Sequence, residues 1–401
     1  MDILFLAHRV PFPPDRGDKI RSFHMLRYLS QRARVHLVAF ADDERDQGHA
    51  DDLAPFTASV TLVRRAKSQA RAAAEALVMQ RPISLTAFHD RQFATAVRAA
   101  MARHPIASIL VFSGQMAQYV PADAGPRMVM DFVDMDSAKF GAYAANAHGP
   151  VRWLMAREQK RLFAFEAAVA ARADASLFVS EAEARLFRDS AGAGRIMVVE
   201  NGIDTGFYDP DGALPAVAAG KGPLLVFTGQ MDYRPNVEGA LWFAEAVWPA
   251  LHRRHPDLRF ALVGRNPTAD LRHLERRPGL IVTGEVPDVR PWLAAASIAV
   301  APLRIARGVQ NKVLEAMAMA RPVVATDAAA DGIDHAGTIA AAGDVNGFTL
   351  AIERLLADPE RARRLGAAAR ARVVARYGWD ARLAPLDALL GLPGTTRRSA
   401  A

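Results

Sequence analysis

The stretch whose reading decides the fold is Pro302–Thr326, PLRIARGVQNKVLEAMAMARPVVAT. SIAVAP just ahead of it and RPVVAT at its end are short apolar runs of the kind that form buried parallel strands. Between them Val309, Val313, Leu314, Met317 and Ala318 recur at helical spacing on one face. The pattern predicts strand, basic loop, helix, short turn, strand. Arg304, Arg307, Gly308 and Lys312 gather at the start of that helix. Free amides at a helix N-terminus, a glycine permitting close approach and several fixed cations suit a phosphate or diphosphate. Glu315 follows Lys312 by three residues on the same side, where its carboxylate can accept hydrogen bonds from sugar hydroxyls. The pattern leaves one alternative open, a solvated surface helix in which Glu315 pairs with Lys312.

Composition narrows the class. A chain of 401 residues is natural for two domains, and 51% apolar with 23% charged residues marks it as globular. A net charge of +7 suits phosphate-bearing ligands or an anionic membrane surface. No zinc finger, RNP-type aromatic motif or long basic tail supports nucleic acid as a partner. With no cysteine, disulfides, thiolate catalysis and Cys-ligated metal are excluded. MDILFLAH enters a strand at once, so no signal peptide is expected, and no uninterrupted apolar run reaches the ~18 residues of a membrane helix. A cytoplasmic protein is expected.

Working outward, residues 2–7 and 35–40 read as strands around a Pro-rich loop and a helix that begins near Gly17. Strand, glycine-bearing loop, helix, strand opens a doubly wound α/β domain. Gly17 serves either close loop–helix packing or the approach of backbone to an acceptor. Strands follow at 58–63, 107–112, 127–131, 174–179 and 196–199, alternating with helices, including one from about Val151. That helix mixes Arg152, Arg157, Lys160 and Arg161 with Trp153, Leu154, Leu162, Phe163 and Phe165. With Arg64, Arg65, Lys67 and Arg71 it offers peripheral contact with acidic headgroups of the inner membrane, or is a helix with one wet face. In MDFVDMDSAKF, Asp131, Asp134 and Asp136 crowd one loop after a strand. Asp134-Met135-Asp136 spells the D-x-D of metal-dependent sugar transferases, but an acceptor-facing polar role is favoured over a metal. Asn201-Gly202 marks a turn, and a linker-like segment places a domain boundary at 205/206. Beyond it strands end repeatedly in glycine, at Gly229, Gly264 and Gly284, each leaving exposed backbone at one edge of a parallel sheet. The helices expected there include 236–253 and 379–390.

VVENGID, FTGQMDYRPN, LVGRNP, VTGEVPDVRPWLAAASIAVAP and GVQNKVLEAMAMARPVVAT, in this order and spacing, resemble the GT-B nucleotide-sugar glycosyltransferases of retaining family four, the group 1 transferases. With DFVDMDSAKF included, the set looks closest to sugar transferases found with exosortase/PEP-CTERM exopolysaccharide loci. The resemblance implies an α/β chain of two Rossmann-like doubly wound domains facing across a cleft. These would be an acceptor domain over 1–205, a donor domain over 206–376, a helix over 377–391 crossing back, and a tail over 392–401. It implies transfer of a sugar from a nucleoside-diphosphate sugar to a glycan or polyprenyl-linked acceptor, with no cofactor and no metal.

By the same resemblance, Glu315 takes the ribose hydroxyls, and Lys312 with an arginine takes the diphosphate. Gly229, Gly264, Glu285, Val286, Arg304, Gly308 and Val309 complete the donor side, together with Arg234, beside which Asn236 stands where relatives carry lysine. Arg307 stands where the family has a glutamate and is read as another diphosphate ligand. Arg307, Lys312 and Asp134 are the expected catalytic residues; Gly17, Asp131 and Asp136 are expected on the acceptor side. A UDP-sugar 2-epimerase and a non-catalytic nucleotide-binding scaffold are the alternatives to transfer.

Overall fold

A computed structural model describes residues 1–14, 17–122, 124–191, 194–306 and 309–392. The chain divides between Asn201 and Gly202, slightly ahead of the expected boundary. Residues 1–201 and those from Arg382 onward form one unit, and 202–381 the other.

In the first unit the apolar runs become seven parallel strands: β1 (Asp2–Ala7), β2 (Arg34–Ala41), β3 (Ser59–Arg64), β4 (Ile106–Phe112), β5 (Arg127–Val133), β6 (Ala175–Phe178) and β7 (Ile196–Val198). Their order is β3-β2-β1-β4-β5-β6-β7. Strands β1 and β4 to β6 are buried along nearly their whole length, which is why they read as continuous rather than alternating apolar runs. Helix α1 (Gly17–Ser30) connects β1 to β2 and α2 (Gln69–Val78) follows β3. The pair α3 (Asp136–Asn146) and α4 (Gly149–Arg172) packs closely enough that a side chain on Gly141 would overlap that of Gln159. Glu158 and Glu166 of α4 are buried and put to structural use. Glu158 accepts from the amides of Ile83 and Ser84, and Glu166 from the amide and hydroxyl of Ser137. The last helix, Pro385–Leu390, buries Leu386, Leu389 and Leu390 in this unit; Ser108 donates to the Leu390 carbonyl and Tyr28 to Asp387.

The second unit repeats the plan with six parallel strands: β8 (Leu224–Thr228), β9 (Arg259–Val263), β10 (Leu280–Gly284), β11 (Ile298–Ala301), β12 (Val323–Ala325) and β13 (Ala340–Ala341). The order β10-β9-β8-β11-β12-β13 reverses direction between β8 and β11. Such a reversal opens a crevice beyond the strand ends where α/β sheets hold ligands. Helix α5 (Asn311–Ala318) follows β11 and buries Val313, Leu314 and Met317 against the core. It starts after Val309, which packs on the core from the preceding segment instead of extending the helical face. Two long expected helices are interrupted. The first runs Arg234–Trp242, a π-helical turn over Phe243–Val247, then Trp248–Arg254, and the terminal one splits into Trp379–Leu383 and Pro385–Leu390. Pro249 and Pro385, each in the first turn of the second piece, have no N–H to continue the ladder.

Candidate active site

Within the second unit the strand ends and α5 enclose a cavity of about 440 Å³. Thr228 and Gly229 come from the end of β8, Val263, Gly264 and Arg265 from β9, and Glu285 and Val286 from the segment after β10. Asn311, Lys312 and Glu315 face it from α5, and Tyr208, Gln230 and Asn236 close it. The floor depends on two glycines. A Cβ on Gly264 would lie 1.7 Å from the Gly229 carbonyl oxygen; one on Gly229 would lie 2.8 Å from Asn236 Nδ2 and 3.5 Å from Lys312 Cε. Only glycine lets these two strand ends lie against each other with the Lys312 stem crossing over them. Their amides are already used, Gly229 N–H on the Val263 carbonyl at 3.0 Å and Gly264 N–H on that of Gly284 at 3.2 Å. Gly229 and Gly264 line the cavity, as expected of exposed backbone at the strand ends, and with their amides so used they supply room rather than N–H donors.

Lys312 is the charge at the centre. Its ammonium donates to Asn236 Oδ1 and sits 5.2 Å from the centre of the Phe227 ring. Asn236 is itself fixed by donating to the Gln230 carbonyl at 2.8 Å. Burial pulls the Lys312 ammonium down to about 8, with the charge of Glu315 opposing. Burial pushes the Glu315 carboxyl up, opposed by hydrogen bonding with Tyr208 and by the charge of Lys312. The Tyr208 hydroxyl is pushed up by burial first and by Glu315 second. Among the described residues no carboxylate lies within ion-pair distance of Lys312. Arg265 stands at the rim, donating to Gln230 Oε1 at 3.2 Å. The arrangement is therefore a desolvated cation, a second cation at the rim and a carboxylate, lining a space large enough for part of a nucleotide. An anion entering it would favour the charged form of Lys312, and polyol hydroxyls would donate to Glu315.

The structure brings together Gly229, Gly264, Glu285, Val286, Lys312 and Glu315 from the sequence expectations and leaves others apart. Arg234 is exposed and pairs with Glu238 at 2.7 Å, one turn along its own helix, outside the cavity wall. Arg304 is exposed on the segment after β11, likewise outside the wall. Arg307 and Gly308 lie outside the described residues.

In the first unit Asp131 is fully buried. Arg21, equally buried, donates to it from Nε at 2.8 Å and to Asn201 Oδ1 at 2.9 Å. The carboxylate expected to face an acceptor thus ties α1 to β5. Burial pushes it up and Arg21 opposes. Val133, next along, adopts φ 71°, rare for a β-branched residue, and turns the chain so that Asp134 and Asp136 reach the surface. There both pair with Lys139, at 2.9 and 3.0 Å. Gly17 begins α1, where a Cβ would meet nothing within 4 Å, so close loop–helix packing does not require a glycine there.

Arg265, Gln230, Asn311 and Tyr208 line the cavity without having been singled out in the sequence. Arg265 had a usable signal, since LVGRNP repeats the strand-then-glycine pattern of FTGQMD. Tyr208 had none, as it lies in the linker-like segment.

Two parallel sheets, each with its strand order reversed about its first strand and with a polar cavity at the strand ends of the second, are the GT-B architecture. Both halves of the chain match glycosyltransferase families, residues 20–207 the family described as Glycosyltransferase Family 4 and residues 222–358 that described as Glycosyl transferases group 1. The alpha-maltose-1-phosphate synthase of Mycolicibacterium smegmatis is 31% identical over 216 residues, 46% of this chain and 54% of that protein. The lipopolysaccharide core biosynthesis mannosyltransferase LpcC of Rhizobium leguminosarum bv. viciae is 28% identical over 177 residues, 40% and 50% of the two chains. The chain thus spans about half the length of the curated relatives it matches. Among solved structures, the sucrose-phosphate synthase of Thermosynechococcus elongatus aligns over 97% of this chain and 98% of its own, at 19% identity and a TM-score of 0.57. Anabaena HepE in complex with UDP aligns over 98% and 100%, at 15% identity and a TM-score of 0.59. At such identities these two alignments speak to the fold alone.

Proposed function

We propose that the protein is a retaining glycosyltransferase that moves a sugar from a nucleoside-diphosphate sugar to a glycan or polyprenyl-linked acceptor. We further propose that it does so in exopolysaccharide biosynthesis of the exosortase/PEP-CTERM kind that its motifs resemble. The observation that carries this reading is Lys312, a desolvated ammonium with no carboxylate at ion-pair distance among the described residues, one helical turn from Glu315 at the mouth of converging strands. Transfer from a nucleotide sugar is limited by departure of a charged diphosphate from an oxocarbenium-like centre. Fixed positive charge around the leaving group stabilises that transition state. In the proposal Lys312 and Arg307 take the diphosphate and Glu315 the ribose hydroxyls. Gly229, Gly264, Glu285 and Val286 shape the walls. Arg265 adds a cation at the rim. In a front-face reaction the departing diphosphate accepts the acceptor's proton, so retention needs no separate base. Asp134 keeps the catalytic role expected of it, and Gly17 and Asp136 are assigned to the acceptor side.

HepE is described in complex with UDP and with UDP-glucose, and LpcC is named a mannosyltransferase, so UDP-glucose and a mannose-bearing nucleotide head the donor panel. The test is thermal-shift screening of UDP-, GDP- and ADP-sugars, without and then with divalent metal, followed by product analysis. Stabilisation by one nucleotide class that disappears in Glu315→Ala, with transfer to an added saccharide acceptor, is expected. No stabilisation by any class, or conversion of a UDP-sugar to its epimer with no acceptor present, would overturn the reading.

A further inference from the structure

We infer that Tyr208 is a positioning residue of the cavity, whose hydroxyl sets Glu315 to accept from a ribose diol and so makes the site select ribonucleotides over deoxyribonucleotides. The inference rests on the proposed role of Glu315 and names what enforces it. Glu315 is half-buried on the cavity wall, and Tyr208 lines the same wall. Among the described residues Tyr208 is the one hydrogen-bond partner of the Glu315 carboxylate. An ionised carboxylate only accepts, so the phenol donates; it fills one of roughly four acceptor positions and leaves the others to a ligand. A glutamate held in place beforehand loses less side-chain freedom when the ligand arrives.

The placement of Tyr208 is over-determined. It belongs to an irregular segment, which two arginines from two helices hold. Arg370, from the helix Pro359–Arg376, donates to the Tyr208 carbonyl at 2.7 Å and the Thr205 carbonyl at 3.3 Å, and pairs with Asp209 at 3.2 Å. Arg290, opening the helix Arg290–Ala295, donates to the Phe207 carbonyl at 3.0 Å and lies 3.7 Å from the centre of the Phe207 ring. Within the segment the Asp204 carboxylate accepts from the amides of Gly206 and Phe207. The Tyr208 ring packs on the core of this unit, a task that phenylalanine performs as well. What packing leaves unexplained is the hydroxyl.

The charged groups facing the pair are few. Lys312 acts on Glu315 from the same helix, while Asp288 and Arg290, paired with each other at 2.7 Å, act on the Tyr208 hydroxyl. Burial pushes the Glu315 carboxyl up, and Tyr208 and Lys312 hold it down. Loss of the hydroxyl therefore moves Glu315 toward its protonated form, which carries a donor O–H and has lost acceptor capacity. A ligand lacking the 2′-hydroxyl leaves an acceptor unmet whichever form is present.

The test is calorimetry of the full chain with UDP, GDP and ADP and with their 2′-deoxy counterparts, from about pH 6 to about pH 8. The wild type is compared with Tyr208→Phe, Glu315→Gln and the double variant. The ratio of ribo to deoxy affinity cancels the titration of Lys312 and of the phosphates, which both ligands share. For the nucleotide that binds best, a wild-type ratio of about tenfold or more is expected. In Tyr208→Phe the ratio should fall toward one, further at the acid end of the range, with the melting temperature unchanged. In the Glu315→Gln background Tyr208→Phe should change the ratio no further, a coupling that a purely structural tyrosine would not show. A wild-type ratio near one, or no binding of any of the three nucleotides, would overturn the ribose role of Glu315 and the inference with it. A wild-type preference that Tyr208→Phe keeps at every pH, or lowers equally with and without Glu315, would overturn the inference alone.

Discussion

Lys312 gives the cavity a pH dependence that can be worked out in advance. Its ammonium lies at about 8 in the unliganded protein against an ordinary 10.5, so the fold holds the charged form at a cost on the order of 3 kcal/mol, reduced by whatever solvent reaches it. The unfolded chain binds more protons between those two values. Lys312 therefore lowers stability most below about pH 8, and the penalty is relieved as pH rises from about 8 to 10.5. A bound diphosphate requires the charged form, so binding must take up a proton where the free site is partly neutral. At pH 8 the site is about half charged and uptake should be about 0.5 proton per nucleotide sugar, falling to about 0.1 at pH 7. Affinity should be about fourfold weaker at pH 8.5 than at pH 7, close to 0.8 kcal/mol. Titration calorimetry in buffers of different ionisation enthalpy reads both quantities. Lys312→Met keeps the alkyl stem, should weaken binding about 10- to 100-fold through loss of a charge-assisted contact, and should abolish the proton uptake. Uptake near zero at pH 8 in the wild type, or the same uptake in Lys312→Met, would refute the assignment.

Three further consequences concern the scaffold. Burial pushes Glu166 up to about 7 from an ordinary 4.5, so its contribution to stability is present below about pH 4.5 and lost as pH rises through about 7. Glu166→Gln keeps an acceptor for Ser137 and should flatten the melting temperature between pH 4.5 and 7. Arg21→Met strands a fully buried carboxylate and should cost about 3–5 kcal/mol in chemical denaturation. Adding Asp131→Asn should recover a substantial part of that loss, whereas additive losses would mean the pair does not interact. Gly264→Ala sets a methyl 1.7 Å from the Gly229 oxygen, and a displaced strand end should cost about 1–3 kcal/mol or more, with loss of nucleotide binding. A variant that melts and binds like the wild type would mean the glycines do not set the floor.

Much of this was legible in the sequence where one physical signal dominated. Fully buried strands such as FLA, LLVF and IAVA announce themselves as apolar runs, and Gly229 and Gly264 mark where strands end at the cavity. Lys312 and Glu315 are legible because a helix fixes their relative placement. Arg234 was not, because a neighbour one turn on, Glu238, captures it, a choice that depends on rotamers rather than spacing. Asp131 reads like its neighbours Asp134 and Asp136, and only the partner Arg21, 110 residues away in sequence, shows that it is buried. Tyr208 reaches the cavity from an irregular segment, where neither periodicity nor a turn signal fixes a side chain's destination.

The measurement that bears most directly on the account is a crystal structure of the second unit's cavity, in the full chain, with the nucleotide sugar that gives the largest thermal shift. The account predicts its diphosphate within hydrogen-bond distance of Lys312 Nζ, at about 2.7–3.0 Å, with the ribose hydroxyls on Glu315. A nucleotide bound elsewhere, or in this cavity with its phosphates turned away from Lys312, would contradict it.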